Sequence, residues 1–135
     1  MSMFELTSLK SIGDTRGTLT VIEGLKDLSF EIKRLYYLTN LDANTPRGFH
    51  AHFELTQFAI CLSGSFDMLF DDGYNKETYK VDNNCEGVLI PPMIWHEMHN
   101  FSNDCILLVL ASAPYDEDDY IREYKQFCKH VKENK

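Results

Sequence analysis

A chain of 135 residues has room for one domain around one core, which would bury roughly two-thirds of the unfolded surface. Its 21 acidic residues against 13 Lys and Arg give a formal net charge of −8, which argues against a general nucleic-acid or anionic-membrane surface but allows a few arginines to gather around one phosphate-bearing ligand. Four widely spaced cysteines with no Cys-x-x-Cys pair predict buried free thiols, and the N-terminus has no basic segment leading into an apolar one, so the expectation is a soluble cytoplasmic protein.

In chain order the sequence predicts many short strands closed by one helix. Residues 4–9 form a first strand, and Gly13-Asp14-Thr15-Arg16-Gly17 has the small, turn-forming composition of a loop that carries Arg16. Residues 19–23 and 31–39 are rich in β-branched, aromatic and leucine residues; in the second, Ile32, Arg34, Tyr36 and Leu38 share one face, with Tyr37 on the other. A polar loop at 42–46 then leads into Pro46-Arg47-Gly48-Phe49-His50-Ala51-His52. On a strand, two histidines separated by one residue send both imidazoles to the same side, because side-chain direction repeats every two residues. An arginine and a glycine beside them supply a fixed cation and a permissive backbone, a combination that a plain core strand does not need.

Further strands are expected at 57–62, 66–70, 78–81, 87–90, 98–101 and 105–111, with Asp71-Asp72-Gly73 favouring a tight hairpin turn. This rhythm of short strands and turn signals points to a sandwich or small barrel. From residue 116 the period changes. Tyr120, Ile121, Tyr124, Phe127, Cys128 and Val131 recur at helical spacing and predict an amphipathic helix over about 116–132. Its acidic start, Asp116-Glu117-Asp118-Asp119, and its basic end at Lys129 and Lys132 suit the helix dipole, so the acidic cluster is expected to be a solvated first turn.

The spacing His50-x-His52, Gln57, Gly64 resembles the first motif of cupins, and Pro91-x-Met93-x-x-His96-x-x-x-Asn100 resembles the second. That resemblance implies an all-β double-stranded β-helix, or jelly-roll, barrel with the helix at its C-terminus, as a single domain over 1–135. Many cupins hold a metal with two histidines and a glutamate from the first motif and a histidine from the second. Here the glutamate position is Gln57, a poorer ligand for a hard or borderline cation than a carboxylate, so no metal is expected.

A narrower resemblance covers almost the whole chain. Asp14-Thr15-Arg16-Gly17, Lys33-Arg34-Leu35-Tyr36-Tyr37, the 46–52 stretch, Trp95-His96-Glu97-Met98-His99 and Tyr115-Asp116 through Asp119-Tyr120-Ile121-Arg122 are similar to segments of the sugar-nucleotide 3,4-ketoisomerases. These act on dTDP-4-keto-6-deoxyglucose in pathways to dTDP-linked amino sugars. The resemblance implies an isomerase without cofactor, a homodimer, and a site near the paired histidines.

On that basis His50 is the expected base at C3, and His52 relays or returns a proton. Tyr36 hydrogen-bonds a sugar oxygen, and Gln57 hydrogen-bonds a histidine or the sugar. Arg16, Arg34 and Arg47 are the candidates for the diphosphate, since guanidinium forks match phosphate oxygens. His96 either lines the barrel or is a satisfied core histidine, the second being the favoured reading, and His99 and His130 are expected to be structural or solvated. A dTDP-sugar 3,5-epimerase, a metal-dependent cupin and a non-catalytic sugar-binding cupin are the alternatives.

Overall fold

Apolar residues at every second position need a surface to bury against, and the sequence satisfies this by stacking two sheets. The computed structural model describes residues 3–134. Its strands are β1 (Glu5–Ser8), β2 (Lys10–Asp14), β3 (Gly17–Val21), β4 (Arg34–Leu38), β5 (Arg47–His52), β6 (Gln57–Ser63), β7 (Phe66–Asp71), β8 (Lys76–Val81), β9 (Glu86–Ile90), β10 (Trp95–His99), β11 (Ile106–Ala111) and β12 (Tyr120–Ile121), followed by the helix α1 (Tyr124–Glu133). One antiparallel five-stranded sheet runs β1-β9-β6-β11-β4, the other β12-β5-β10-β7-β8, and β2 and β3 form a separate hairpin. This is the expected all-β jelly roll with a C-terminal helix.

The strands divide their side chains between three apolar layers. Ala59, Cys61, Met68, Phe70, Leu107 and Val109 fill the space between the sheets. Phe58 and Ile60 of β6 and Leu110 of β11 face the opposite way, where Leu9 and Leu28 bury them together with Ile22, Phe30 and Ile32. Covering on both faces explains why β6 shows a continuous buried run rather than alternation. The third layer lies under α1 and joins Ala51, Trp95, Ile121 and Phe127. Among the described residues, no helix is long and apolar enough to cross a membrane.

Four local expectations need correction. The loop expected over 13–17 is shorter, a hairpin tip at 15–16: Asp14 already pairs with Gly17, and the Asp14 carboxylate accepts the Arg16 backbone N–H at 2.8 Å. Gly17, at φ 137°, takes a conformation that other residues avoid. Between β7 and β8 the chain uses residues 72–75, a longer turn than the Asp-Gly pair alone predicts.

The strand expected at 98–101 lies at Trp95–His99 and stops where Asn100 turns left-handed at φ 56°. The helix begins at Tyr124, not at 116. Asp116 spends its carboxylate on the Asp118 N–H, which holds Glu117–Asp119 in a single 3₁₀ turn. Tyr120 and Ile121 then pair with His52 and Ala51 at the edge of β5. A helical stripe that includes Tyr124, Phe127, Cys128 and Val131 is real; its first two members in the sequence pattern belong to a strand.

Candidate active site

The organising distortion is a bulge in β5. Along β10, His96 pairs with His50 but Glu97 pairs with Gly48, so Phe49 is an extra residue without a partner. Phe49 sits at φ 60° and Gly48 at φ 92°. A Cβ at position 48 would stand 3.0 Å from the His96 carbonyl oxygen, so glycine answers both the conformation and the close approach. Strain of this kind persists where surrounding structure enforces it, and here it sits beside the paired histidines. Beyond the bulge, Ala51 points to the helix layer, and His50 and His52 point to the barrel interior.

His96 joins them from β10. The ring centroids lie 4.6 Å apart for His50 and His96, 5.0 Å for His50 and His52, and 6.2 Å for His52 and His96. Of the two readings of His96, the less favoured one holds: it lines the same cavity as His50, although it is also buried. His50 Nδ1 lies 3.0 Å from the Gly48 carbonyl oxygen, and His96 Nδ1 lies 3.2 Å from that of Ile94. A carbonyl only accepts, so both rings carry the proton on Nδ1 and keep Nε2 as a base.

Burial favours the neutral ring throughout this group. It lowers the pKa of His50. Burial and then the neighbouring His50 charge press His52 to about 4 and His96 to about 3. All three imidazoles are thus neutral near neutral pH.

Around His50 the cavity holds about 400 Å³. Tyr36 and Gln57 line it together: Gln57 Nε2 donates to the Tyr36 hydroxyl at 2.8 Å, and burial pushes that phenol up to about 12, so it remains an O–H donor. With its oxygen already accepting from Gln57, the hydroxyl can offer its own proton to another group. Gln57 Oε1, buried, has no partner among the described residues.

Arg34 and Arg47 also line the cavity. The Arg34 guanidinium lies 4.7 Å from the centre of the Tyr36 ring and 5.2 Å from that of Tyr115. Arg16 is not brought to this place by the single chain. It stands exposed on the β2–β3 turn, its Nε 3.1 Å from Asp14 Oδ2.

Three contributors were not expected from the sequence. Tyr120, placed on β12, lies 5.1 Å from the His50 ring and 4.3 Å from that of His52, between centroids. Arg122 lines the cavity, its guanidinium 4.2 Å from the Tyr120 ring centre and held by two bonds to Glu117 at 2.7 and 2.8 Å. Asp119, expected in a solvated turn, is largely withdrawn from solvent and reaches His52. The quoted run Asp119-Tyr120-Ile121-Arg122 was the available signal, masked by its apparent helical period. His99, bound to Glu97 at 2.9 Å, and His130, packed on Phe53, lie outside the cavity.

The donor set does not match the metal arrangement common in this fold. His50, His52 and His96 each offer a ring nitrogen within 4.8 Å of the others; among the described residues no carboxylate joins that group, and the amide at the usual carboxylate position is bonded to Tyr36. Three neutral rings can hold a divalent ion whose charge a bound hydroxide balances, so what sets this site apart is the amide at the carboxylate position.

Comparison with known proteins adds the lineage. The family model described as "FdtA: WxcM-like, C-terminal" matches residues 2–132. A curated relative, TDP-4-oxo-6-deoxy-alpha-D-glucose-3,4-oxoisomerase of Aneurinibacillus thermoaerophilus, is 45% identical over 127 residues, which span 94% of this chain and 91% of that protein. Among solved structures, a histidine-to-asparagine mutant of the 3,4-ketoisomerase QdtA from Thermoanaerobacterium thermosaccharolyticum in complex with TDP-4-keto-6-deoxyglucose superposes with TM-score 0.96 at 39% identity, covering 98% of this chain and 96% of that one. The WlaRB TDP-quinovose 3,4-ketoisomerase from Campylobacter jejuni gives 0.91 at 43% identity, covering 96% and 99%.

Proposed function

The chain belongs to the FdtA (WxcM-like, C-terminal) family, and from that premise we propose that it is a sugar-nucleotide 3,4-ketoisomerase. It moves the keto group of dTDP-4-keto-6-deoxyglucose from C4 to C3 by acid-base catalysis. The observation that carries the reading is the cavity itself. Neutral imidazoles, a phenol that keeps its proton and arginines line one cavity, which is what a substrate with an acidified C–H and a diphosphate requires.

His50 Nε2 removes the C3 proton, and the electron pair forms the C3–C4 double bond while the C4 carbonyl oxygen takes the negative charge. Tyr36 donates its O–H to a sugar oxygen at which that charge develops. The proton on the C3 hydroxyl passes to the C4 oxygen, the C3 carbonyl forms, and a proton returns to C4. His52, packed against His50 but outside the lining of the main cavity, relays protons to and from it. Gln57 fixes the Tyr36 hydroxyl and offers Oε1 to a sugar hydroxyl.

Incubation with the 4-keto sugar nucleotide followed by NMR tests this: the carbonyl carbon should appear at C3. A carbonyl retained at C4 with exchange at C5 would instead identify an epimerase, and binding without turnover a sugar-binding protein. Activity should also survive chelation, since the site lacks the anionic ligand of the metal-holding members of its fold. Turnover lost to a chelator and restored by one divalent ion would overturn that expectation.

The working unit in this proposal is a cytoplasmic homodimer. Ile12 and Leu19 on the hairpin, and Leu35 and Tyr37 on the outward face of β4, are large apolar side chains left exposed on the single chain. A second copy would cover such a surface, and a hairpin reaching across would deliver Arg16 to the partner's cavity. Light scattering at micromolar concentration should give twice the chain mass; a monomer would remove this route for Arg16.

A further inference from the structure

His52 differs from its two neighbours in what holds it. His50 and His96 each give Nδ1–H to a carbonyl on their own strand, whereas His52 has no carbonyl partner, and neither ring nitrogen makes a well-formed hydrogen bond among the described residues. The nearest acceptor is Asp119, whose Oδ2 lies 3.4 Å from His52 Nδ1.

That carboxylate is itself fixed. Glu54 N–H donates to Oδ1 at 2.9 Å and Leu55 N–H to Oδ2 at 3.1 Å. The Asp119 main chain is tied at both groups, by N–H to Asp116 at 3.1 Å and by the Phe53 N–H to its carbonyl at 3.0 Å. Such a carboxylate is held in place, and its oxygens are the acceptors nearest to His52 Nδ1. We propose that Asp119 is a positioning residue for His52: it holds the proton on Nδ1 and so leaves Nε2 as the basic edge, the same tautomer that main-chain carbonyls impose on His50 and His96.

All three rings then present the same edge for proton transfer. The groups that face His52 are His50, His96, Tyr120 and Asp119, with the Arg122 charge felt from further off. Its neutral state near pH 7 makes the choice of tautomer decisive, because a ring with Nε2–H would meet the relay with a donor where an acceptor is needed. The inference rests on the proposed relay role of His52.

Nitrogen-15 NMR of the imidazoles in the wild-type protein, with His52 assigned by loss of its signals in His52→Gln, should show a protonated Nδ1 and an unprotonated Nε2. In Asp119→Ala the signals should move toward the Nε2–H form, and kcat should fall ~10²-fold while dTDP affinity stays within about threefold. Asp119→Asn, whose amide oxygen can still accept from Nδ1, should recover part of the loss. A wild-type His52 protonated on Nε2 overturns the proposal whether or not the alanine variant folds, and so does Asp119→Ala with native kcat. Wild-type protein that binds dTDP but moves no carbonyl would sink the isomerase reading instead, leaving the tautomer measurement to stand.

Discussion

His50→Asn should fold, bind dTDP and lose turnover by at least the ~10²–10⁴-fold that a well-placed general base contributes. The amide matches one edge of imidazole in size and hydrogen bonding, yet it cannot take a proton near neutral pH. The His50 ring does bond the Gly48 carbonyl across the bulge, and the asparagine side-chain N–H can donate to that carbonyl in its place. In deuterated water the native enzyme should place deuterium at C4 of the 3-keto product and, through the reverse reaction, at C3 of recovered substrate. The variant should do neither.

His52→Asn should separate from it, leaving some exchange at C3 while product formation slows. Because burial lowers the His50 pKa, the base should stay unprotonated below its ordinary pKa of about 6.5, and kcat/KM should decline on the acid side only at lower pH. Full exchange in His50→Asn with none in His52→Asn would reverse the two roles. Native turnover in both would make the pair structural.

What could be seen in the sequence and what could not divides along one physical line. Period-two alternation needs only local geometry, so His50 with His52, and Arg34 with Tyr36, could be assigned to shared inward faces before any fold was known; the cavity is lined by Arg34, Tyr36 and His50, with His52 packed behind His50. Gln57 was legible from its motif alone, since β6 is a continuous buried run without alternation. His96 was harder, because a lone histidine on an apolar strand has the same pattern whether it lines a cavity or packs in a core.

Asp119, Tyr120 and Arg122 were hidden by a competing local signal. Tyr120 and Ile121 continue the spacing of the helix, but the edge of β5 offers backbone partners that the helix period cannot encode. The acidic run looked like a first helical turn because charge alone does not reveal that Glu54 and Leu55, 65 and 64 residues away, aim their N–H groups at one of its members. Non-local backbone pairing decided each of these positions.

The diphosphate makes the second large prediction. In a protein of net charge −8, a doubly charged ligand group is bound only where cations gather, and the cavity gathers Arg34, Arg47 and Arg122. They are not equivalent. Arg122 is already neutralised by two bonds to Glu117, whereas neither Arg34 nor Arg47 has an ion-pair partner among the described residues. The Arg34 guanidinium is instead stacked against Tyr36 and Tyr115, which fixes its plane without occupying its donors. Arg34→Ala and Arg47→Ala should therefore each weaken dTDP itself, as well as substrate, by ~10–10²-fold, the scale of a charge-assisted hydrogen bond worth about 1.5–3 kcal/mol. Because the contact is made before any chemistry, KM should rise more than kcat falls. Arg16→Ala separates a third case: on the single chain it is paired with Asp14 away from the cavity, so a loss of dTDP affinity there requires the hairpin of one subunit to reach the site of another. Titration of the three variants with dTDP by calorimetry decides among them. Unchanged affinity in all three would move the phosphate site away from these arginines, and a loss confined to Arg16→Ala would place it at the subunit boundary.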